Sequence, residues 1–238
     1  MSEWKAKRFW KDAEVRKEAG GFGVALDGRS VKTPAKRLLL APTRRFAQAI
    51  ADEWAAQDET IDPLSMPFTR SANAALDKVS TQHGEVADML AAYGDSDLLC
   101  YRADSPAPLV ARQEAEWSPL LEWAEEALNA RLEARSGVIH APQDAAALKQ
   151  LSDRVHAMTA FELAGFHDLV SLSGSLVLGF AATMDFKDAK ALWDISRLDE
   201  IWQAEEWGPD DEAEAAALVK ERAFLHAKHV FDLSHAAQ

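Results

Sequence analysis

Cysteine is nearly absent from this sequence: Cys100 is the single one in 238 residues. One thiol excludes a disulfide framework and fits a reducing compartment. Tyrosine is scarce as well, two residues against eight tryptophans. Anchoring of a core or an interface therefore falls largely to tryptophan. The N-terminal stretch MSEWKAKRFWKD holds no apolar run of signal-peptide length and no long acid-poor leader. The expectation is a bacterial, cytoplasmic protein. The most apolar stretch, Leu169 to Met184, is shorter than about 18 residues and is interrupted by Ser and Gly, so no membrane insertion is expected. It reads as a central buried helix in which Gly174, Ser175, Gly179 and Ala182 let neighbouring helices approach.

Several catalytic signatures are missing too. There is no Gly-x-Ser-x-Gly, no Gly-Lys-Ser/Thr, no Cys-x-x-Cys and no Glu-x-x-His. Gly20-Gly21-Phe22-Gly23 runs into strand pattern instead of a helix start, so it reads as a turn and not a phosphate cradle. His226, His229 and Asp232 share a helical face, but two histidines at that spacing fall short of a metal site. Nothing local lowers the pKa of Cys100, which reads as a buried thiol. Asp95 and Asp97 are a candidate carboxylate pair, with capping by Asp95 or Ser96 as the plainer reading. No catalytic residue, no metal and no cofactor is expected.

Positive charge is scarce beyond the first 45 residues. Those 45 hold 12 Lys/Arg and 5 Asp/Glu, whereas the rest holds 14 and 34. The net charge of −13 thus divides into +7 and −20. An acidic body repels phosphates, so no nucleic-acid partner is expected.

What is present is β pattern followed by helix pattern. Asp27-Gly28 between short alternating runs predicts a hairpin. Strand pattern at Glu14 to Glu18 and at Arg37 to Leu40 extends this to a sheet of three to five strands. Phe46, Ile50 and Trp54 recur at helical spacing behind the capping candidate Thr43. Beyond Pro67 the pattern is helical, over about 69–80, 83–93, 107–134, 143–157, 160–183, 186–207 and 210–232. The fold class expected is α+β: a small N-terminal antiparallel β domain with one helix, residues 1–68, and a larger all-helical domain, residues 69–238.

The most informative stretch is RLDEIWQAEEWGPDDE, Arg197 to Glu212. Residues 198–219 carry eight acids and no Lys or Arg. Leu192, Ile195, Leu198 and Trp202 form an inward stripe, and Trp207 falls off it. Glu205 and Glu206 stand at a helix C-terminus, where acids oppose the macrodipole. Residues placed against local preference mark a candidate site.

Phrases along the chain resemble one family. They are Arg8-Phe9-Trp10-Lys11; Leu26-Asp27-Gly28-Arg29-x-Val31-x-Thr33-Pro34; Glu53-Trp54-x-x-Gln57 with Ile61-Asp62-Pro63-x-x-Met66-Pro67-x-Thr69-Arg70; Tyr93-Gly94-x-x-Asp97-Leu98-Leu99-Cys100-Tyr101-Arg102-Ala103; His167-Asp168-Leu169; and Ser196-Arg197-Leu198-Asp199-Glu200-x-x-Gln203-x-x-x-Trp207-Gly208. In that order they are similar to the ATP synthase assembly factor 2 family, its bacterial members in particular. The resemblance implies a chaperone, not an enzyme, that binds the unassembled alpha subunit of the ATP synthase catalytic head until the beta subunit takes its place. It implies no cofactor. The free chain is expected to be monomeric. It also implies that an acid of the Leu-Asp-Glu phrase carries function: Glu200, or its neighbour Asp199. The partner-binding set expected is Glu200, Asp199, Gln203, Trp207, Glu205, Glu206 and Trp202. The competing reading is a metal-independent hydrolase or transferase using carboxylates such as Asp95, Asp97 and Glu200 in an interdomain cleft.

Overall fold

The computed structural model describes residues 7–137 and 139–235. The chain starts with β1 (Ala13–Glu18), β2 (Gly21–Leu26), β3 (Arg29–Ser30) and β4 (Leu40–Ala41), the last sharing only Leu40 with the strand expected at Arg37 to Leu40. All pairings are antiparallel, with β2 joined to each of the others. Asp27 and Gly28, at φ 47° and 81°, make the tight turn from β2 to β3. The Asp27 carboxylate accepts the amides of Lys11 and Asp12 at 2.9–3.1 Å, which hold it below the usual aspartate value. Ala19-Gly20 is the β1–β2 turn, so of the expected glycine turn only Gly20 lies in it, and a Cβ at Gly21, the first residue of β2, would stand 2.6 Å from the Ala41 carbonyl oxygen.

Helix α1 (Arg44–Ala55) starts at Thr43, whose hydroxyl accepts from Phe46 N at 3.1 Å and donates to Leu233 O at 2.6 Å. Its stripe behaves as expected, with Phe46 and Ile50 fully buried and Trp54 packed partly buried against the same core. Glu53 on α1 then caps α2 (Pro67–Asp77), accepting from the amides of Phe68 and Thr69 and from the Thr69 hydroxyl at 2.6–2.8 Å. Burial raises its pKa, and those bonds oppose the rise.

The remaining elements are α3 (His83–Ala91), β5 (Tyr101–Arg102), α4 (Ala107–Leu128), β6 (Arg135–Ser136), α5 (Ala145–His156), α6 (Ala160–Ser173), α7 (Leu176–Thr183), α8 (Ala189–Ser196), α9 (Leu198–Trp207) and α10 (Asp211–His235). The fold is α+β, and the later part is helical apart from the short parallel pair β5–β6. No helix among the described residues is long and apolar enough to cross a membrane.

Two compact units are present. The first takes the described residues up to His83, with Thr159–Gly165 and His229 onward; the second takes Gly84–Met158 and Phe166–Lys228. The division expected between 68 and 69 falls inside α2. That helix buries Ala72 and Ala75 in the same core as β2 and α1, so it stays with the first unit.

Expected helices part in three places. The stretch expected over 107–134 ends at Leu128, because Asn129 turns left-handed at φ 54°. The apolar stretch is two helices and not one. Gly174, at φ 72°, ends α6, and Ser175 begins α7 by accepting from Leu178 N at 3.0 Å. Gly179 does serve close approach, since a Cβ there would lie 2.7 Å from Val170 Cγ2. The third break, between α8 and α9, builds the site.

Candidate functional site

Asp188 opens α8 by accepting from Lys190 N at 2.9 Å. One helix was expected over 186–207, but it breaks at Arg197. Just before the break, Ser196 turns its hydroxyl back to Trp193 O at 2.6 Å, a bond that competes with helix continuation. Leu192, Ile195 and Leu198 are buried across the break, and the Trp117 indole on α4 donates to Ile195 O at 3.0 Å. Trp202 is half-buried at the end of this stripe. Gly208, at φ 94°, ends α9, and the Asp210 carboxylate starts α10 by accepting from Glu212 N and Ala213 N at 2.9 and 3.2 Å.

The two neighbouring acids of the Leu-Asp-Glu phrase have different surroundings. Asp199 is partly buried and accepts from Gln113 Nε2 at 2.7 Å. Gln113 is itself buried, and its carbonyl accepts from Ala103 N at 2.8 Å. Glu200 stands at the surface, paired with Arg197 at 2.7 Å. The Arg197 guanidinium lies 5.7 Å from the centre of the Trp193 ring. Glu205 pairs with Arg112 of α4 at 2.6 Å.

A cleft of about 710 Å³ opens between α8–α9 and α10. Of the expected residues, it brings together Glu200, Gln203, Glu205 and Trp207. Asp199, Trp202 and Glu206 are not among its lining residues. Trp207 is 80% exposed at its mouth. Sequence reading missed Trp193, Arg197, Ala213, Glu214, Ala217 and Glu221 as walls of the same cleft. A signal for the α10 side was present: 213, 217 and 221 are spaced by four, one face of a helix. Arg112, 93 residues from Glu205, left no such trace.

The other candidates have structural partners. Asp97 is fully buried, accepting from Leu99 N and Val177 N at 3.0 Å each, and burial pushes its carboxyl up to about 6. It caps the turn Leu98–Cys100 and the start of α7, the role expected of Asp95 or Ser96. Asp95 accepts from Gln143 N at 2.7 Å and lies 3.3 Å from His140 Nε2, so the two aspartates do not work as a pair. Burial pushes the Cys100 thiol up to about 12, the reverse of what a nucleophile needs. No group of three or more metal-ligating side chains stands together among the described residues.

Comparison with known proteins gives a consistent family. The family described as ATP12 chaperone protein matches residues 7–125. The crystal structure of Atp12 from Paracoccus denitrificans superposes with a TM-score of 0.95 at 47% identity, covering 98% of this chain and all of that one. A proposed chaperone from Agrobacterium tumefaciens superposes at 0.87 with 39% identity, over 94% of this chain and 85% of that one. The mitochondrial protein atp12 of Schizosaccharomyces pombe is 24% identical over 219 residues, 87% of this chain and 75% of its own.

Proposed function

The chain belongs to the ATP12 chaperone family, whose members assist ATP synthase assembly, and on that footing we propose that it binds the unassembled alpha subunit of the catalytic head in the bacterial cytoplasm. It keeps the subunit from aggregating and gives way when the beta subunit arrives. The observation that carries this reading is the α9–α10 cleft, with its apolar floor, acidic rim and exposed tryptophan.

A subunit awaiting its partner exposes apolar surface rimmed by charge, and such surface aggregates when left bare. A binder needs apolar anchors inside a polar rim. Trp207 at the cleft mouth is the anchor and Glu200, Gln203 and Glu205 are its rim, with the half-buried Trp202 and the exposed Glu206 on the same helix outside the lining. Nucleotide-binding subunits carry basic groups near their phosphate sites, and these match the rim in sign. Asp199 supports the site from behind through Gln113.

Co-expression with the alpha subunit of the same organism's ATP synthase tests the reading. A soluble one-to-one complex is expected, weakened at least tenfold by Glu200→Lys with an unchanged melting curve. Asp199→Ala is expected to act differently. It strips the acceptor from the buried Gln113 amide and costs about 1–3 kcal/mol of stability. An insoluble client with no complex in any form would refute the proposal.

A further inference from the structure

The cleft leaves one carboxylate unused. Six acids line it: Asp194, Glu200, Glu205, Asp210, Glu214 and Glu221, against a single cation, Arg197. Five of the six have partners inside the chain. Asp194 binds Lys190 at 2.5 and 2.7 Å, and Glu221 lies 3.8 Å from the same ammonium. Glu200 has Arg197, Glu205 has Arg112, and Asp210 caps α10. Among the described residues the Glu214 carboxylate has neither hydrogen bond nor ion pair. It is nonetheless on the cleft side of α10, beside Ala213 and Ala217.

The cleft floor is small and apolar. Ala204 of α9 and Ala213 and Ala217 of α10, the last two one turn apart, are part of its lining. Alanines allow close helix packing, yet here the two helices leave about 710 Å³ open. That volume lies within the range of about 300–1,000 Å³ common for ligand sites. A long apolar stem with a cationic head suits such a lining. The aromatic side chain at the mouth favours a planar guanidinium, which stacks on indole and bridges carboxylates in a way ammonium cannot. The chain already uses this chemistry in the same lining, where Arg197 lies over Trp193 and pairs with Glu200.

We infer that the cleft receives one arginine side chain presented on an apolar segment of the partner, its stem against Ala204, Ala213 and Ala217 and its guanidinium on Glu214. The Trp207 indole stacks on that guanidinium from the α9 side. This deepens the chaperone reading and rests on it for the identity of the partner. It places the decisive contact on α10 as well as on the acids of α9.

The test uses the full chain with two exposed-site variants, Glu214→Gln and Ala217→Trp, the second filling the cleft. The probe is a 12-residue amphipathic peptide with one arginine on a leucine-rich face. Its control carries citrulline, which keeps the shape and loses the charge. In titration calorimetry the arginine peptide is expected to bind at least tenfold tighter than the citrulline peptide. Each variant is expected to lose at least tenfold of that affinity. Equal binding of the two peptides, no binding of either, or indifference to both variants would overturn the inference. The alpha-subunit complex separates the two claims. A complex that forms with the unsubstituted chain and survives Ala217→Trp refutes the arginine site and leaves the chaperone intact. Failure of the complex with the unsubstituted chain refutes the chaperone, and the peptide titration then judges the cleft by itself.

Discussion

Asp97 shows how far a carboxylate can be from the role its sequence suggests. It is fully enclosed, and its oxygens join the turn at Leu99 to the start of α7 at Val177. Burial raises its pKa from 3.8 to about 6, so the folded chain holds that proton more tightly than the unfolded chain does. The stability it contributes is therefore fully present below pH 4 and is lost as pH rises through 6, by about 3 kcal/mol in all. Asp97→Asn has no such titration. Its stability relative to the parent should climb by up to that amount between pH 4 and 6.5, as read by chemical denaturation. A difference that stays constant with pH would contradict the burial argument. Asp199 and Glu200 make the same point side by side. One turns to a buried glutamine and the other to a surface arginine, because successive residues on a helix are about 100° apart.

Helix breaks, more than helix faces, organise the second unit. Gly174-Ser175 divides one apolar run into α6 and α7, and the two then pack closely at Gly179. Replacing a helical glycine by alanine usually gains about 1 kcal/mol of helix propensity. At Gly179 the added Cβ would meet Val170 Cγ2 at 2.7 Å and Phe166 Cε2 at 3.0 Å. Overpacking of this kind costs about 1–3 kcal/mol, so Gly179→Ala should lower the melting temperature. A rise would mean that α7 shifts freely against α6. The break at Arg197 does for function what Gly174 does for packing. It redirects α9, so that Glu200 and Glu205 face α10 across open space.

Charge is distributed very unevenly along the chain, +7 over the first 45 residues and −20 over the rest. The cleft lies within the acidic part, with six acids to one cation in its lining. Fields of that kind act over about a Debye length and steer encounter more than they set final affinity. Association with the client should therefore slow by roughly tenfold between 0.05 and 0.5 M salt, with a smaller change in dissociation. Stopped-flow mixing reads this directly. An association rate indifferent to salt would remove electrostatics from the recognition step.

The hairpin at Asp27-Gly28, the cap at Thr43 and the stripe of α1 were legible in the sequence, because each depends on residues within one turn or one strand pair. The acid-and-tryptophan stretch was legible for the same reason, since eight acids without a base stand out along any chain. The family phrases were legible too, but many of their residues hold the fold together. Asp27, Glu53, Gln57, Asp97 and Arg102 bond to backbone at turns and helix starts. Only folding decided which acids of the stretch face the cleft, which are neutralised by Arg112 or Arg197, and that α10 supplies the opposite wall. Those outcomes depend on the angle of a break at Arg197 and on partners up to 93 residues away. Local spacing carries no information about either, since both are set by how the buried faces of α4, α8 and α9 pack.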